Sequence, residues 1–178
     1  MSVLSRGSAP QAIIVMGVSG SGKSTLGTQL ANALACPFLE GDAFHSPESV
    51  AKMRAGQPLT DEDRWPWLDR VAADMQIEVA RSGIAVAACS ALRRVYRDRL
   101  RRGIHFPVLF VLLEVGREEL RQRISSRTGH YMPVALLASQ IDTLEPPDRD
   151  EPVIRLDAEQ PPALLCEQVL QYLARPQP

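Results

Sequence analysis

Short, unbroken apolar runs recur along the chain at Ala12 to Met16, Phe38 to Leu39, Ile84 to Ala88, Pro107 to Leu113 and Val153 to Leu156. Runs without polar alternation suit strands that are covered on both faces. The stretches between them change to a helical rhythm. Leu26, Leu30, Ala33 and Leu34 mark a first helix. Ser46, Pro47 and Glu48 open a second, with serine as cap and proline in the first turn, and Gly56 stops it. The acidic start Thr60 to Asp63 opens a third, in which Trp67, Val71, Met75 and Val79 share one face until Gly83. Further helices are predicted over about Leu92 to Arg102, Glu118 to Arg127, Val134 to Leu144 and Ala163 to Leu173. Strands alternating with helices predict an α/β fold, a five-stranded parallel sheet flanked by helices and joined by right-handed crossovers. Residues 1–10 are expected to form a flexible tail before a single domain over 11–178.

The first strand runs into Gly17 to Thr25, GVSGSGKST, and the first helix follows directly. Strand, glycine loop and helix form the context a phosphate-binding loop requires. The glycines let successive N–H groups turn inward around a phosphate, and the new helix presents its unpaired N–H groups to the same anion. Gly17, Val18, Ser19, Gly20, Ser21, Gly22 and Thr25 are thereby read as ATP-binding, with Lys23 as the charge on the outer phosphates and Ser24 as a Mg²⁺ ligand. The chain has two lysines, Lys23 and Lys52, against eighteen arginines. A lysine here is therefore pointed, since a compact ammonium fits a tight phosphate cradle where a guanidinium does not. The expected class is a P-loop NTPase fold.

At 178 residues and a formal net charge of −1, one domain suffices, and no global field draws the chain to nucleic acid or to an acidic membrane. Three scattered cysteines, Cys36, Cys89 and Cys166, suit reduced, buried thiols in a cytoplasmic protein. The apolar run behind the N-terminus has five residues, too few for a signal-peptide core or a membrane span.

Phosphate loops serve GTPases, motor ATPases and small-molecule kinases alike, so the acceptor must be found elsewhere. Glu40 and Asp42 leave the second strand, expected beside the first, and alternation places them on one side. One of the two could orient Mg²⁺ through its waters, a role assigned to Glu40, while the other accepts a hydroxyl proton. A pair of solvated loop acids is the alternative. Absence of an NKxD-type guanine-reading motif weighs against a nucleotide switch.

The segments GDAFHSPESVAKMRAGQPLTDEDRWPWL, ACSALRRVYRDRLR and RTGHYMPVALLASQIDTLEPP resemble the gluconokinase family of small P-loop kinases, from Ile13 to the final helix. The resemblance implies a shikimate-kinase-like fold with a mobile lid, about 117–145, and a homodimer. It also implies ATP-dependent phosphorylation of D-gluconate at its 6-hydroxyl, with shikimate or another polyol acid as the alternative acceptor. Asp42, His45, Lys52, Arg64, Ser90 and Arg93 offer donors for a carboxylate, hydroxyl partners and a base, as a sugar acid requires. By resemblance Asp42 meets the reacting hydroxyl, Arg64 and Arg93 meet the anion, Arg127 serves catalysis and ATP, Arg123 stacks on adenine and His130 helps hold gluconate. Gly129 is read as a hinge, and the loop from Asp157 to Pro161 as the end of the adenine pocket. Arg64 could instead pair with Asp61, and most of the arginine-rich run from Arg93 to Arg102 is expected to be a solvated face. Trp65 and Trp67 are expected to pack. Ser49 departs from the asparagine usual at this place in the family, which touches the substrate-side helix.

Overall fold

The computed structural model describes residues 11–125 and 134–175, and at 124–125 and 134–135 the backbone alone. Five strands, β1 (Gln11–Met16), β2 (Phe38–Glu40), β3 (Ile84–Ala88), β4 (Val108–Glu114) and β5 (Val153–Asp157), form one parallel sheet in the order β2-β3-β1-β4-β5. The helices are α1 (Lys23–Leu34), α2 (Pro47–Arg54), α3 (Asp61–Ser82), α4 (Arg94–Gly103), α5 (Arg117–Ser125), α6 (Val134–Thr143) and α7 (Pro162–Leu173). Arg127, Gly129 and His130 lie outside the described residues.

The sheet order corrects one expectation. β2 does not lie beside β1, because β3 pairs with both and separates them. The small residues of β3, Ala85, Ala87 and Ala88, let it sit centrally under helices on both faces. β1 itself is fully buried from Ala12 to Met16. Its alternate residues feed two cores. Ala12, Ile14 and Met16 pack with α3, α4 and Phe110, while Ile13 and Val15 pack with α1, α7 and Val111. Trp67, Val71, Met75 and Val79 are buried as the helical spacing of α3 predicts. On α1 the inward alanine is Ala31, and Ala33 faces solvent.

The ends of α3 follow the sequence closely. Thr60 and Asp63 make a capping box in which each side chain accepts from the other's backbone N–H, and Gly83 closes the helix with a positive φ. Cys89 and Cys166 are buried, whereas Cys36 is only partly so. Burial pushes the Cys89 thiol up to about 12 and the Cys36 thiol to about 11, which keeps both protonated. No helix of the described residues is long and apolar enough to cross a membrane.

Candidate active site

The phosphate loop joins β1 to α1, and Gly22 at its end takes φ 99° so that α1 can begin at Lys23. Gly17 N–H donates to the Ser90 carbonyl at 3.3 Å, and Cys89 N–H to that of Val15 at 3.0 Å, which ties the loop to the segment after β3. Lys23 Nζ donates to the Val18 carbonyl at 3.0 Å. Val18 packs with Leu92, Leu120 and Leu137, so α5 and α6 lean on the loop through an apolar contact.

The turn that carries Asp42 is held by close approach. Gly41 begins a 3-10 turn, Gly41–Phe44, and a Cβ on it would lie 2.2 Å from the Ala88 carbonyl oxygen. Only glycine lets this turn lie flat against the end of β3. Trp67 Nε1 donates to the Gly41 carbonyl at 2.7 Å, and the Trp67 ring stacks on the His45 imidazole at 4.3 Å and 17°. One buried indole therefore fixes both the Asp42 turn and His45.

A cleft opens between these elements, and Ser19, Lys23, Asp42, His45, Arg64 and Ser90 all line it. Four of the sequence-selected residues, Asp42, His45, Arg64 and Ser90, thus meet the phosphate loop around one space. Asp42 is half exposed there, and His45 Nε2 lies 3.9 Å from its carboxylate. Burial pushes the His45 imidazole down to about 4 against the pull of Asp42, and Arg64 and Arg70 add to the drop. His45 is therefore neutral at pH 7, suited to pair with a hydroxyl and not with an anion. Its Nδ1 is buried without a hydrogen-bond partner among the described residues.

Three selected residues stand apart from the cleft lining. Glu40 ends β2, half-buried. Lys52 reaches from α2 to Asp63 at 2.7 Å. Arg93 precedes α4 and bridges Asp61 at 2.7 Å and Glu145 at 3.0 Å. Arg64 meets Tyr96 Oη at 2.8 Å more closely than it meets Asp61, at 3.9 Å. The arginine-rich run is not mostly a solvated face. Arg97 is fully buried on Glu151, while Arg94 pairs with Asp148 and Asp150, and Arg99 with Asp69. Buried guanidinium groups need carboxylate partners, and the loop from Glu145 to Glu151 supplies them.

Sequence reasoning missed α6 as a wall of the cleft. Leu136, Ser139 and Gln140 line it, and Gln140 Oε1 accepts from the Ser19 N–H at 2.6 Å. Leu136 also packs with Met53 and Leu59 across the opening. A lone glutamine in an apolar helix carries no signal of such a contact.

A second pocket lies behind the loop, lined by Gly20, Ser21, Gly22, Thr25, Arg123 and the Ala158–Gln160 turn among others. Arg123 donates to Glu119 at 2.7 Å and to the Ala158 carbonyl at 2.8 Å, which places it beside the segment after β5. The Ser21 hydroxyl is buried there with no hydrogen-bond partner among the described residues. The two pockets share the phosphate loop as their common wall, so a nucleotide in one can present its last phosphate to the other. The oxygen donors suit Mg²⁺. Ser24 is exposed in the first turn of α1, and among the described residues no cluster of His, Cys, Asp and Glu could cage a metal alone. That is the donor set of an ion that keeps waters and takes most of its remaining ligands from phosphates.

Residues 13–147 match the AAA domain family. The gluconokinase of Gluconobacter oxydans (strain 621H) is 46% identical over 166 residues, which cover 93% of this chain and 93% of that one. The chain belongs to the gluconokinase family. The crystal structure of a gluconokinase from Sinorhizobium meliloti 1021 has a TM-score of 0.81 at 45% identity and covers 93% of this chain and 92% of its own. Shikimate kinase from Aquifex aeolicus shares the fold alone, with a TM-score of 0.56 at 17% identity over 91% of this chain and 95% of its own. Ser49 is buried in the first turn of α2. There its N–H donates to the Ser46 hydroxyl at 3.2 Å, and its own hydroxyl lies 3.3 Å from that group.

Proposed function

We propose that this protein transfers the γ-phosphoryl group of Mg-ATP to the 6-hydroxyl of D-gluconate, giving 6-phospho-D-gluconate and ADP. One observation carries the reading: the phosphate loop and a set of acidic, basic and hydroxyl side chains face each other across a single cleft. Asp42 takes the proton of the 6-hydroxyl as its oxygen attacks. The new O–P bond forms as the bond from the γ-phosphorus to the β–γ bridging oxygen breaks, and ADP leaves with that electron pair. Lys23 and the loop N–H groups bind the charge that builds on the transferred phosphoryl. Ser24, with Glu40 acting through water, would hold a Mg²⁺ ion, which would supply positive charge against that build-up. His45 and Ser90 hold hydroxyls, and Arg64 takes the carboxylate end. Arg123 packs on the adenine side.

The family relation extends the proposal to Arg127 as the charge that meets the phosphates, to His130 beside the sugar acid, and to 117–145 as a lid closing over both. α6 already walls the cleft, which supports that role for its segment. Lys52 and Arg93, engaged with Asp63, Asp61 and Glu145, support the site from behind. A cytoplasmic homodimer completes the reading, and sedimentation of the purified protein tests the assembly.

ADP release measured with a panel of acceptors is the deciding experiment. Turnover with gluconate and none with shikimate or nucleoside monophosphates is expected. Slow hydrolysis that no acceptor accelerates would overturn the assignment in favour of a nucleotide switch.

A further inference from the structure

Besides Lys23 on the phosphate loop, the one permanent cation lining the cleft among the described residues is Arg64. Its side chain is 16% exposed, and its one ion pair within 4 Å among the described residues, to Asp61, spans 3.9 Å, beyond hydrogen-bond range. What holds the guanidinium is Tyr96, whose hydroxyl accepts from Nη1 at 2.8 Å. That hydroxyl donates in turn to Asp61 Oδ1.

We propose that Tyr96 is a positioning residue that confers preference for a carboxylate-bearing acceptor, by aiming the Arg64 guanidinium into the cleft through a one-way hydrogen-bond relay from Asp61. The inference rests on the proposed reaction and deepens it. An ionised carboxylate only accepts, so the single phenolic proton is committed to Asp61 and a lone pair of Oη is left facing Arg64. The direction of the relay is thus set at its Asp61 end. The hydrogen bond from Tyr96, and then that from Arg93, hold the Asp61 carboxyl below its usual range, so it stays ionised throughout neutral pH.

The relay is also anchored. Asp61 Oδ2 accepts from Arg93 at 2.7 Å, and Arg93 Nε donates to Glu145, just past the end of α6, at 3.0 Å. The Tyr96 ring is 1% exposed, meets Trp65 edge-on at 5.5 Å, and carries the guanidinium groups of Arg64 and Arg93 at 5.3 and 5.6 Å from its centre. The ring is therefore fixed by packing, and the hydroxyl alone can be removed. His45, which lines the same cleft as Arg64, is neutral, so the anion's charge falls to Arg64.

The test is Tyr96→Phe, which keeps the ring. A hydrogen bond to a charged group contributes about 1.5–3 kcal/mol, so the KM for gluconate should rise roughly 10- to 150-fold. The kcat and the KM for ATP should stay within about threefold, because nothing on the phosphate side changes. In calorimetry, the Kd of gluconate should rise in parallel. In an Arg64→Ala background Tyr96→Phe should cost no further gluconate affinity, because the two act as one unit. Losses that add in the double variant, or a gluconate KM within twofold of wild type, would overturn the relay. Should Tyr96→Phe fold poorly, Asp61→Asn examines the same chain. Its amide can donate to Oη and turn the phenolic proton toward Arg64, so the gluconate KM should again rise selectively, and an unchanged KM overturns the relay. Wild-type protein inactive on gluconate would instead remove the parent reading.

Discussion

Asp42→Asn keeps a side chain of the same size on the Gly41–Phe44 turn and removes the carboxylate proposed to accept the proton. General-base loss predicts a kcat lower by about 10²–10⁴-fold, with ATP affinity near wild type. An ATP titration beside the kinetics checks both halves, and an equal loss of ATP binding would move the carboxylate to the metal. Lys23→Ala should cost at least about 10²-fold with every acceptor, since the loop acts before the acceptor is distinguished. Initial rates on two acceptors measure it. At this scale Lys23, Asp42, His45, Arg64 and Ser90 were legible from sequence, and they share the cleft because each follows a strand end or opens the helix beyond it. His45 was legible as a polar neighbour but not as a neutral one. Its charge is decided by burial against Trp67 and by the nearby Arg64 and Arg70, none of which spacing reveals.

Element boundaries were read well where a local rule sets them. The Thr60 cap is such a rule, and its structural consequence is larger than a helix end, because Asp63 of the same box also holds Lys52 on α2. Thr60→Ala should cost about 1 kcal/mol, seen as a lower midpoint in urea with an unchanged slope. The same element carries Trp67, whose indole N–H binds the Gly41 carbonyl. Sequence assigned Trp67 to packing, and it packs, but the polar end that steadies the Asp42 turn follows from where α3 crosses the sheet. The role of α6 was illegible for a similar reason. Gln140 meets Ser19 across 121 positions of sequence, and only the approach of the helix to the phosphate loop makes that partner available.

For the molecule as a whole, the buried pair between Arg97 and Glu151 joins α4, which follows β3, to the loop before the edge strand β5. Arg97 also donates to the carbonyls of Ala91, Leu92 and Glu145, which secures the loop that follows Ser90. Arg97→Ala leaves Glu151 buried without its main partner and should cost about 3–5 kcal/mol. The hydrogen bonds from Arg97 bring the Glu151 carboxyl from 4.5 down to about 2. A folded-state value below the unfolded one gives stability that is complete above about pH 4.5 and is lost as pH falls toward 2. Melting temperature followed across that window should drop in wild type, and Glu151→Gln should flatten that part of the fall while lowering stability at neutral pH. The sequence by itself determined the strands, the helices, the phosphate loop and the kinship, because runs, helical periods, caps and glycine spacing are local and need no distant partner. The order of the strands, the burial of Arg97, the engagement of Arg93 and the aim of Arg64 were decided by tertiary structure. Each depends on groups tens of positions apart being brought within a few ångströms, and one arginine in a run of six looks like another until a carboxylate or a phenol is set beside it.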